Sequence, residues 1–199
     1  SGAQQGGAGE VIVRTWRRID EEPGLEHFRM RRTRAGLEVE SALINGGPRP
    51  FSMQYVWSLD GRWRSRRLHL RVFAPEEKSV VIERAGPASW KVDGKPSPAF
   101  DGCDELDVSA TPFCNALAIR AAGRRSSHEL TALYVAVPEL ELTPSRQRYE
   151  RLGDARWRYV DLGVARGFTA VLQLDREGLV RTYQHLFESA GSDSPRAAS

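Results

Sequence analysis

Residues 51–73 read FSMQYVWSLDGRWRSRRLHLRVF, and this stretch decides the fold class. In its first part, large apolar residues alternate with mostly polar ones, which is typical of a strand with one buried face. The apolar set consists of Phe51, Met53, Tyr55, Trp57 and Leu59. Asp60-Gly61 is a two-residue turn signal, and a second alternating segment follows it. The stretch therefore predicts an antiparallel β-hairpin.

The same alternation recurs along the chain between Gly-, Pro-, Asn- and Asp-rich turn signals. It predicts further strands at residues 10–19, 27–33, 36–44, 79–84, 89–93, 105–109, 128–142, 146–152, 156–162, 167–174 and 179–187. Roughly a dozen strands exceed what an open twisted sheet usually carries, so the sheet should curl or split into two layers. The predicted fold class is all-β: a single antiparallel β-roll or barrel-like domain over residues 10–190.

One segment departs from the strand pattern. Pro112 and Gly123 bracket an Ala-rich stretch in the positions expected for the start and end of a helix, so a short helix is predicted near 112–122. Residues 130–137 are apolar at almost every position, which indicates a strand covered on both faces. The tails at 1–9 and 191–199 are predicted to be disordered.

Composition narrows the range of functions. The apolar content is 40%, and no apolar run approaches the roughly 20 residues that a membrane-spanning helix needs. The first residues show no signal-peptide pattern, so a cytoplasmic location is predicted. The 29 basic residues are interleaved with 26 acidic ones for a net charge of +3, and we expect no nucleic-acid partner. The oligomeric state is left open.

Residues 100–120, FDGCDELDVSATPFCNALAIR, combine acids, cysteines and a Pro-initiated turn. The acids do not have the spacing of a calcium loop, and the four histidines are scattered, so we expect no metal site and no cofactor. In a reducing compartment Cys103 and Cys114 should be buried free thiols. Asp107 falls on the polar face of the strand that leads into the turn.

A second anomaly lies near the start of the chain, in VIVRTWRRI. Alternation groups Arg17 with Val11, Val13 and Ile19, which places a guanidinium on the more apolar face of the strand. A buried arginine needs a partner because an unpaired buried charge costs on the order of several kcal/mol. Arg17 therefore either pairs with a carboxylate, with Asp107 and Glu150 as candidates, or anchors a ligand inside a pocket.

No catalytic motif is visible: the sequence lacks a GxSxG elbow, an HExxH helix, a P-loop and a dinucleotide fingerprint. A binding module is the favoured class. The alternative is a carboxylate-dependent hydrolase acting on a glycoside or lipid-like substrate, for which Asp107 and Glu150 are candidates. The five tryptophans fit either a hydrophobic core or the wall of a lipid or sugar site.

Several segments carry a resemblance to a known family. They are Trp16-Arg17-Arg18-Ile19-Asp20, Tyr55-Val56-Trp57, Trp63-Arg64-Ser65, Gly102-Cys103-Asp104-Glu105-Leu106-Asp107, Thr111-Pro112 through Ile119-Arg120, Gln147-Arg148-Tyr149, Arg156-Trp157-Arg158-Tyr159 and Phe168-Thr169-Ala170. The chain resembles the bacterial glycolipid-binding family over about residues 15–188, although Ala118 stands where the family usually has Pro. The resemblance implies a spiral β-roll with a concave apolar interior and a lipid-like ligand.

A small amphipathic molecule is accordingly the predicted partner. Arg17, Asp107, Asn115 and Arg120 are expected to converge around the Pro112 turn, with Arg17 or Arg120 holding the ligand's head. The ligand's tail is expected to lie in the interior, against residues such as Tyr55, Trp57, Leu133 and Phe168. The full set of candidate ligand-binding residues is Trp16, Arg17, Tyr55, Trp57, Trp63, Asp107, Asn115, Arg120, Leu133, Arg148, Tyr149 and Phe168.

Overall fold

The computed structural model describes residues 10–190, which form fifteen strands, one α-helix and a short 3₁₀ turn at Pro98–Phe100. The strands are β1 (Val11–Arg18), β2 (Gly24–Thr33), β3 (Gly36–Asn45), β4 (Phe51–Leu59), β5 (Ser65–Phe73), β6 (Glu77–Gly86), β7 (Ser89–Val92), β8 (Lys95–Pro96), β9 (Glu105–Val108), β10 (Ser127–Ala136), β11 (Glu141–Arg151), β12 (Arg156–Asp161), β13 (Thr169–Leu174), β14 (Val180–Tyr183) and β15 (Phe187–Ser189). The helix is α1 (Phe113–Ala122). The tails predicted to be disordered lie outside the described residues.

All fifteen strands belong to one open sheet, in the order β8-β7-β6-β5-β4-β3-β2-β1-β15-β14-β13-β12-β11-β10-β9. Neighbouring strands are antiparallel except β9 and β10, which run parallel. Leu106 and Leu133 belong to strands at one end of this order, yet they share a hydrophobic cluster with Trp57 and Leu70 from the other half. The sheet must therefore curl on itself, which confirms the predicted all-β roll.

Helix α1 lies inside the roll, with eight of its residues buried. It divides the interior into two hydrophobic clusters. The first core contains side chains of the first seven strands, of β9 and of one face of β10. These pack against Phe113 and Leu117 of the helix. The second core contains side chains of the other face of β10 and of the five strands from β11 through β15. These pack against Ala118, Ile119 and Ala122. The predicted helix is confirmed, with Pro112 before it and Gly123, at φ 59°, after it.

Strand β10 separates the two cores. Leu133 and Val135 pack into the first core, whereas Leu130 and Ala132 pack into the second. This confirms the prediction that residues 130–137 are covered on both faces. None of the helices among residues 10–190 is long and apolar enough to cross a membrane.

Three predicted boundaries were wrong. The β4–β5 hairpin is present, but residues 60–64 connect its strands instead of a two-residue turn, because Asp60 Oδ1 accepts hydrogen bonds from the backbone N–H groups of Arg62 and Arg64 at 2.8 and 3.0 Å. Residues 128–142 are two strands joined by a turn at Pro138, which lacks a backbone N–H. Residues 179–187 likewise divide into β14 and β15.

Candidate functional site

One group of polar side chains in the interior lies at the end of the roll where α1 begins, which we call the helix end. Gln147 Nε2 donates a hydrogen bond to Asp107 Oδ2, and Asn115 Nδ2 donates to the Tyr149 hydroxyl at 3.0 Å. The Tyr149 hydroxyl in turn lies 3.4 Å from Gln147 Oε1. These four residues, which we call the polar network, link β9, β11 and the first turn of α1.

Aromatic rings surround the polar network on the concave face of the second core. Tyr159 lies between Tyr149 and Tyr183, with ring centroids 5.3 and 6.2 Å away. Phe168 lies 6.2 Å from Tyr159 and 6.5 Å from Tyr183. Such spacings are typical of favourable tilted and edge-on aromatic pairs. The site therefore combines amide, carboxyl and phenol groups with ring faces.

The polar network reaches the surface at one edge. Gln147 and Tyr149 are buried, but Asp107 and Phe168 are only half-buried. Beside Asp107, its β10 neighbour Tyr134 lines a pocket of about 240 Å³, which we call the end pocket. The end pocket is lined by Arg18, Glu22, Arg49, Phe51, Ser109, Ala110, Tyr134, Val137 and Pro138.

Burial sets the charge state of the site. It raises the pKa of Asp107 to about 6, although the Gln147 hydrogen bond acts in the opposite direction. Burial also raises the pKa of Tyr149, Tyr159 and Tyr183, with nearby Asp107 adding to the effect in each case. The three phenols are therefore neutral hydroxyl groups at physiological pH.

A second polar group lies on the other side of the helix start, in the first core. Glu26 Oε1 accepts hydrogen bonds from Ser41 Oγ at 2.6 Å and from the Tyr55 hydroxyl at 2.7 Å. The Tyr55 hydroxyl also lies 3.4 Å from Thr111 Oγ1, next to the Pro112 turn. Burial raises the pKa of Glu26 to about 7 despite these hydrogen bonds. Sequence reasoning missed this residue.

The structure brings together two of the four residues that were expected to converge. Asp107 and Asn115 meet through Gln147 and Tyr149 beside the Pro112 turn. Arg17 does not join them: its side chain is 62% exposed and pairs with Glu188, not with either predicted carboxylate. The buried face of β1 is the opposite one, with Trp16 in the first core, so the predicted face of this strand was wrong.

Arg120 also lies away from the polar network. It follows seven buried helical residues and lies near the far end of α1, where its guanidinium carbon is 4.2 Å from the centroid of the Trp63 ring. Arg148 lies on the outer face of β11, where it pairs with Glu129 and Glu150. Glu150 therefore does not share a cleft with Asp107, and the carboxylate pair suggested for a hydrolase is not formed.

The interior at the predicted tail-binding residues is filled by protein. Trp57 and Leu133 are 0% exposed, and the Trp57 ring packs 5.4 Å from Phe113 of the helix. Trp16 is equally enclosed, with its Nε1 donating to the Val180 carbonyl at 2.7 Å. The expectation of an open apolar interior at these residues was wrong because α1 occupies it.

Two further features of the described residues bear on function. No group of three or more His, Cys, Asp or Glu side chains among residues 10–190 is placed to hold a metal ion. A shallow groove of about 410 Å³ lies on the outer face of β2 to β5. Its charged groups Arg29 and Arg71 pair with Glu40 and Glu77, as expected for a solvated face.

Comparison with known proteins agrees with this architecture. A family model described as "Putative glycolipid-binding" matches residues 13–189. The chain belongs to this family. The chain is similar to a DUF1089 family protein from Pseudomonas aeruginosa whose crystal structure is known. The two sequences are 27% identical, and the structures match with a TM-score of 0.72 over 94% of this chain and 96% of that one. No curated protein sequence matches the chain.

A second solved structure shares the fold alone. It is a β-barrel-like protein of the domain of unknown function DUF1849 from Brucella abortus, 9% identical, with a TM-score of 0.50 over 92% of this chain and 98% of that one. The recognised family and the curled sheet therefore rest on independent comparisons, one of sequence and one of structure.

Proposed function

We propose that the protein binds an amphipathic molecule, a lipid or glycolipid, whose hydroxyl-bearing head lies at the helix end of the roll. The observation that supports this most directly is the polar network, which lies beside the aromatic rings of the second core and reaches the surface at Asp107. A ligand site of this kind typically combines apolar walls with a few convergent polar groups.

The chemistry of the site favours an uncharged head. The Asp107 carboxylate accepts hydrogen bonds, and the amide and phenol groups both donate and accept them, which together suits hydroxyl groups. The two cations of the end pocket, Arg18 and Arg49, are already paired with Asp20 and Glu139. Arg17 and Arg120, the predicted anchors for an anionic head, lie elsewhere.

Of the residues expected to hold the apolar tail, Phe168 is the one that the proposal keeps. Phe168, Leu174 and Leu186 are only partly buried and pack against the second core, so they offer apolar surface that is accessible from outside. Burying an acyl chain against such surface gains about 0.8 kcal/mol per methylene. We place the tail along these three residues.

The test is a fluorescence titration with a fluorescently labelled glycosylceramide and a labelled fatty acid, supported by native mass spectrometry of protein purified from its own host. Asp107→Asn and Phe168→Ala should each weaken glycosylceramide binding by about tenfold, the equivalent of roughly 1.4 kcal/mol. Phe73→Ala, which alters a half-buried aromatic in the first half of the sheet, is the matched control.

Two results would count against the proposal. One is an absence of binding by the wild type for both probes together with no co-purifying lipid. The other is equal weakening by Phe73→Ala and Phe168→Ala, which would indicate a general loss of folded protein.

A further inference from the structure

Glu26 is a carboxyl group in a position where the strand pattern calls for an apolar side chain. It shares the inner face of β2 with Phe28 and Met30, and it is 3% exposed. Its Oε1 atom receives both hydrogen bonds from Ser41 and Tyr55. Its Oε2 atom is buried and has no hydrogen-bond partner among the described residues. One oxygen of the carboxyl group is therefore held by two hydrogen bonds, and the other oxygen has none.

The position of Glu26 connects it to the end pocket. Gly24, two residues earlier on the same face of β2, pairs with Arg18 and Asn45, and Asn45 pairs with the pocket residue Phe51. On the helix side, Thr111 lies 3.4 Å from the Tyr55 hydroxyl and directly follows Ala110, another pocket residue. Glu26 thus lies one row of side chains below the pocket.

The surroundings of Glu26 are neutral. Its hydrogen-bond donors are hydroxyl groups of β3 and β4, and the Thr111 hydroxyl lies beside the Tyr55 donor. Its cross-strand neighbours are Trp16 on β1 and Leu43 on β3. The titratable groups facing it are the Tyr55 phenol and the Cys114 thiol, and burial raises the pKa of both well above their usual values. No described cation pairs with Glu26, and burial raises its pKa to about 7, so the protonated and ionised forms are both populated near neutral pH.

We propose that Glu26 Oε2 is the inner anchor of the end pocket and donates a hydrogen bond to an uncharged oxygen of the ligand's head, such as a sugar hydroxyl. This inference rests on the proposed function and specifies the chemistry of its polar end. A protonated Glu26 keeps Oε1 as an acceptor for Ser41 and Tyr55 and presents Oε2–H as a donor. An ionised Glu26 has no proton to donate, so binding is coupled to protonation.

The experiment compares the affinity of wild type and Glu26→Gln for a fluorescently labelled glycosylceramide at pH 7.0 and 8.5. Asp107, whose pKa is about 6, is largely ionised at both values. The protonated fraction of a group with a pKa of about 7 falls about fifteenfold over this interval, and wild-type affinity should fall by a similar factor. Glu26→Gln retains an N–H donor at both pH values, so the affinity of this variant should change by less than about twofold between them.

Glu40→Gln on the outer face is the matched control and should retain the wild-type pH dependence. Infrared difference spectra give an independent readout: the C=O band of a protonated carboxyl should shift when the probe binds to wild type, and this signal should be missing from Glu26→Gln. If wild type binds the probe but Glu26→Gln shows the same pH dependence and the same band, the anchor is wrong while the proposed function stands. If wild type binds no probe at either pH, both fail.

Discussion

The two cores of the roll are built by the same sheet but with different side chains. In the first core, residues such as Trp57, Leu68 and Leu70 are completely buried and almost entirely apolar. In the second core, Tyr149, Tyr159 and Tyr183 bring hydroxyl groups inside, and polar residues reach the surface. Buried polar groups cost free energy unless they are fully hydrogen-bonded. The first core also buries Glu26 and the hydrogen-bonded pair Ser65 and Glu105, but the second core combines its polar network with three phenols at the helix end, which is where we place the ligand.

The largest expected effect breaks the first core. Phe113 is 0% exposed, and its ring lies 4.9 Å from Phe28 and 5.4 Å from Trp57. Phe113→Ala should lower the free energy of unfolding by about 3 to 5 kcal/mol, because it removes an enclosed ring and leaves a cavity. Urea unfolding followed by tryptophan fluorescence measures the change.

Phe168→Ala is the counterpart in the second core. Its half-buried ring should contribute less, and we expect a loss of about 1 kcal/mol. Equal losses for the two variants would show that the second core is packed as tightly as the first, and the distinction between them would no longer hold.

The sequence predicted the architecture well because alternation depends only on local residues. The strands, the helix after Pro112 and the two-sided character of β10 all follow from local patterns. The face of β1 was misassigned because three β-branched residues outweighed one tryptophan, whereas Trp16 is the residue that is buried. Arg14 on the same face is accommodated by Asp175 and Glu177, partners that are distant in sequence.

Part of the candidate site was predictable by a rule that had been applied elsewhere. An ionisable residue on an apolar strand face drew attention to Arg17, and the same rule applied to LEHFRM points to Glu26. The predicted strand began at 27, three residues after the start of β2, and so excluded Glu26. Gln147 carries a similar signal, because it shares a buried face with Tyr149. The filling of the interior by α1 depends on tertiary packing, and no local pattern reveals it.

The second prediction concerns the cost of keeping Glu26 inside the first core. Its pKa rises from 4.5 to about 7 on folding, so the folded state binds more protons than the unfolded state between these values. The free energy of unfolding should therefore fall as the pH rises from 5 to 8, by about 3 kcal/mol from this group. Asp107 should add a similar fall at lower pH, because its pKa is also raised, to about 6.

Glu26→Gln should remove the contribution of Glu26 and make the protein more stable than wild type at pH 8. Urea unfolding at pH 5, 6, 7 and 8 gives the comparison, with the exposed Glu40→Gln as control. Parallel curves for wild type and Glu26→Gln would mean that Glu26 is ionised in the fold without penalty, and would weaken the case for it as a proton donor.

A third prediction sharpens the description of the second core. The Tyr149 hydroxyl links Asn115 to Gln147, so Tyr149→Phe leaves a buried amide without its acceptor. We expect a loss of about 1 to 2 kcal/mol in the free energy of unfolding. Tyr134→Phe, at a half-buried position lining the end pocket, should lose less because water can replace the hydroxyl there. A larger loss for Tyr134→Phe would show that the polar network contributes little to stability.

The smallest effect is expected at Arg17, the residue that the sequence placed inside. Its pair with Glu188 joins two solvated side chains on the outer face of the sheet, 62% and 36% exposed, and such pairs contribute at most about 1 kcal/mol. Arg17→Ala should therefore leave both the unfolding curve and glycosylceramide affinity almost unchanged.

Arg14→Ala is the informative contrast, because Arg14 is 15% exposed and its removal leaves Asp175, which is 4% exposed, without its cation. Two arginines three residues apart in one strand would then differ in stability effect because one faces the core and the other faces water. If Arg17→Ala weakened ligand binding while Arg14→Ala did not, the head would lie on the outer face, and the helix end would lose its role.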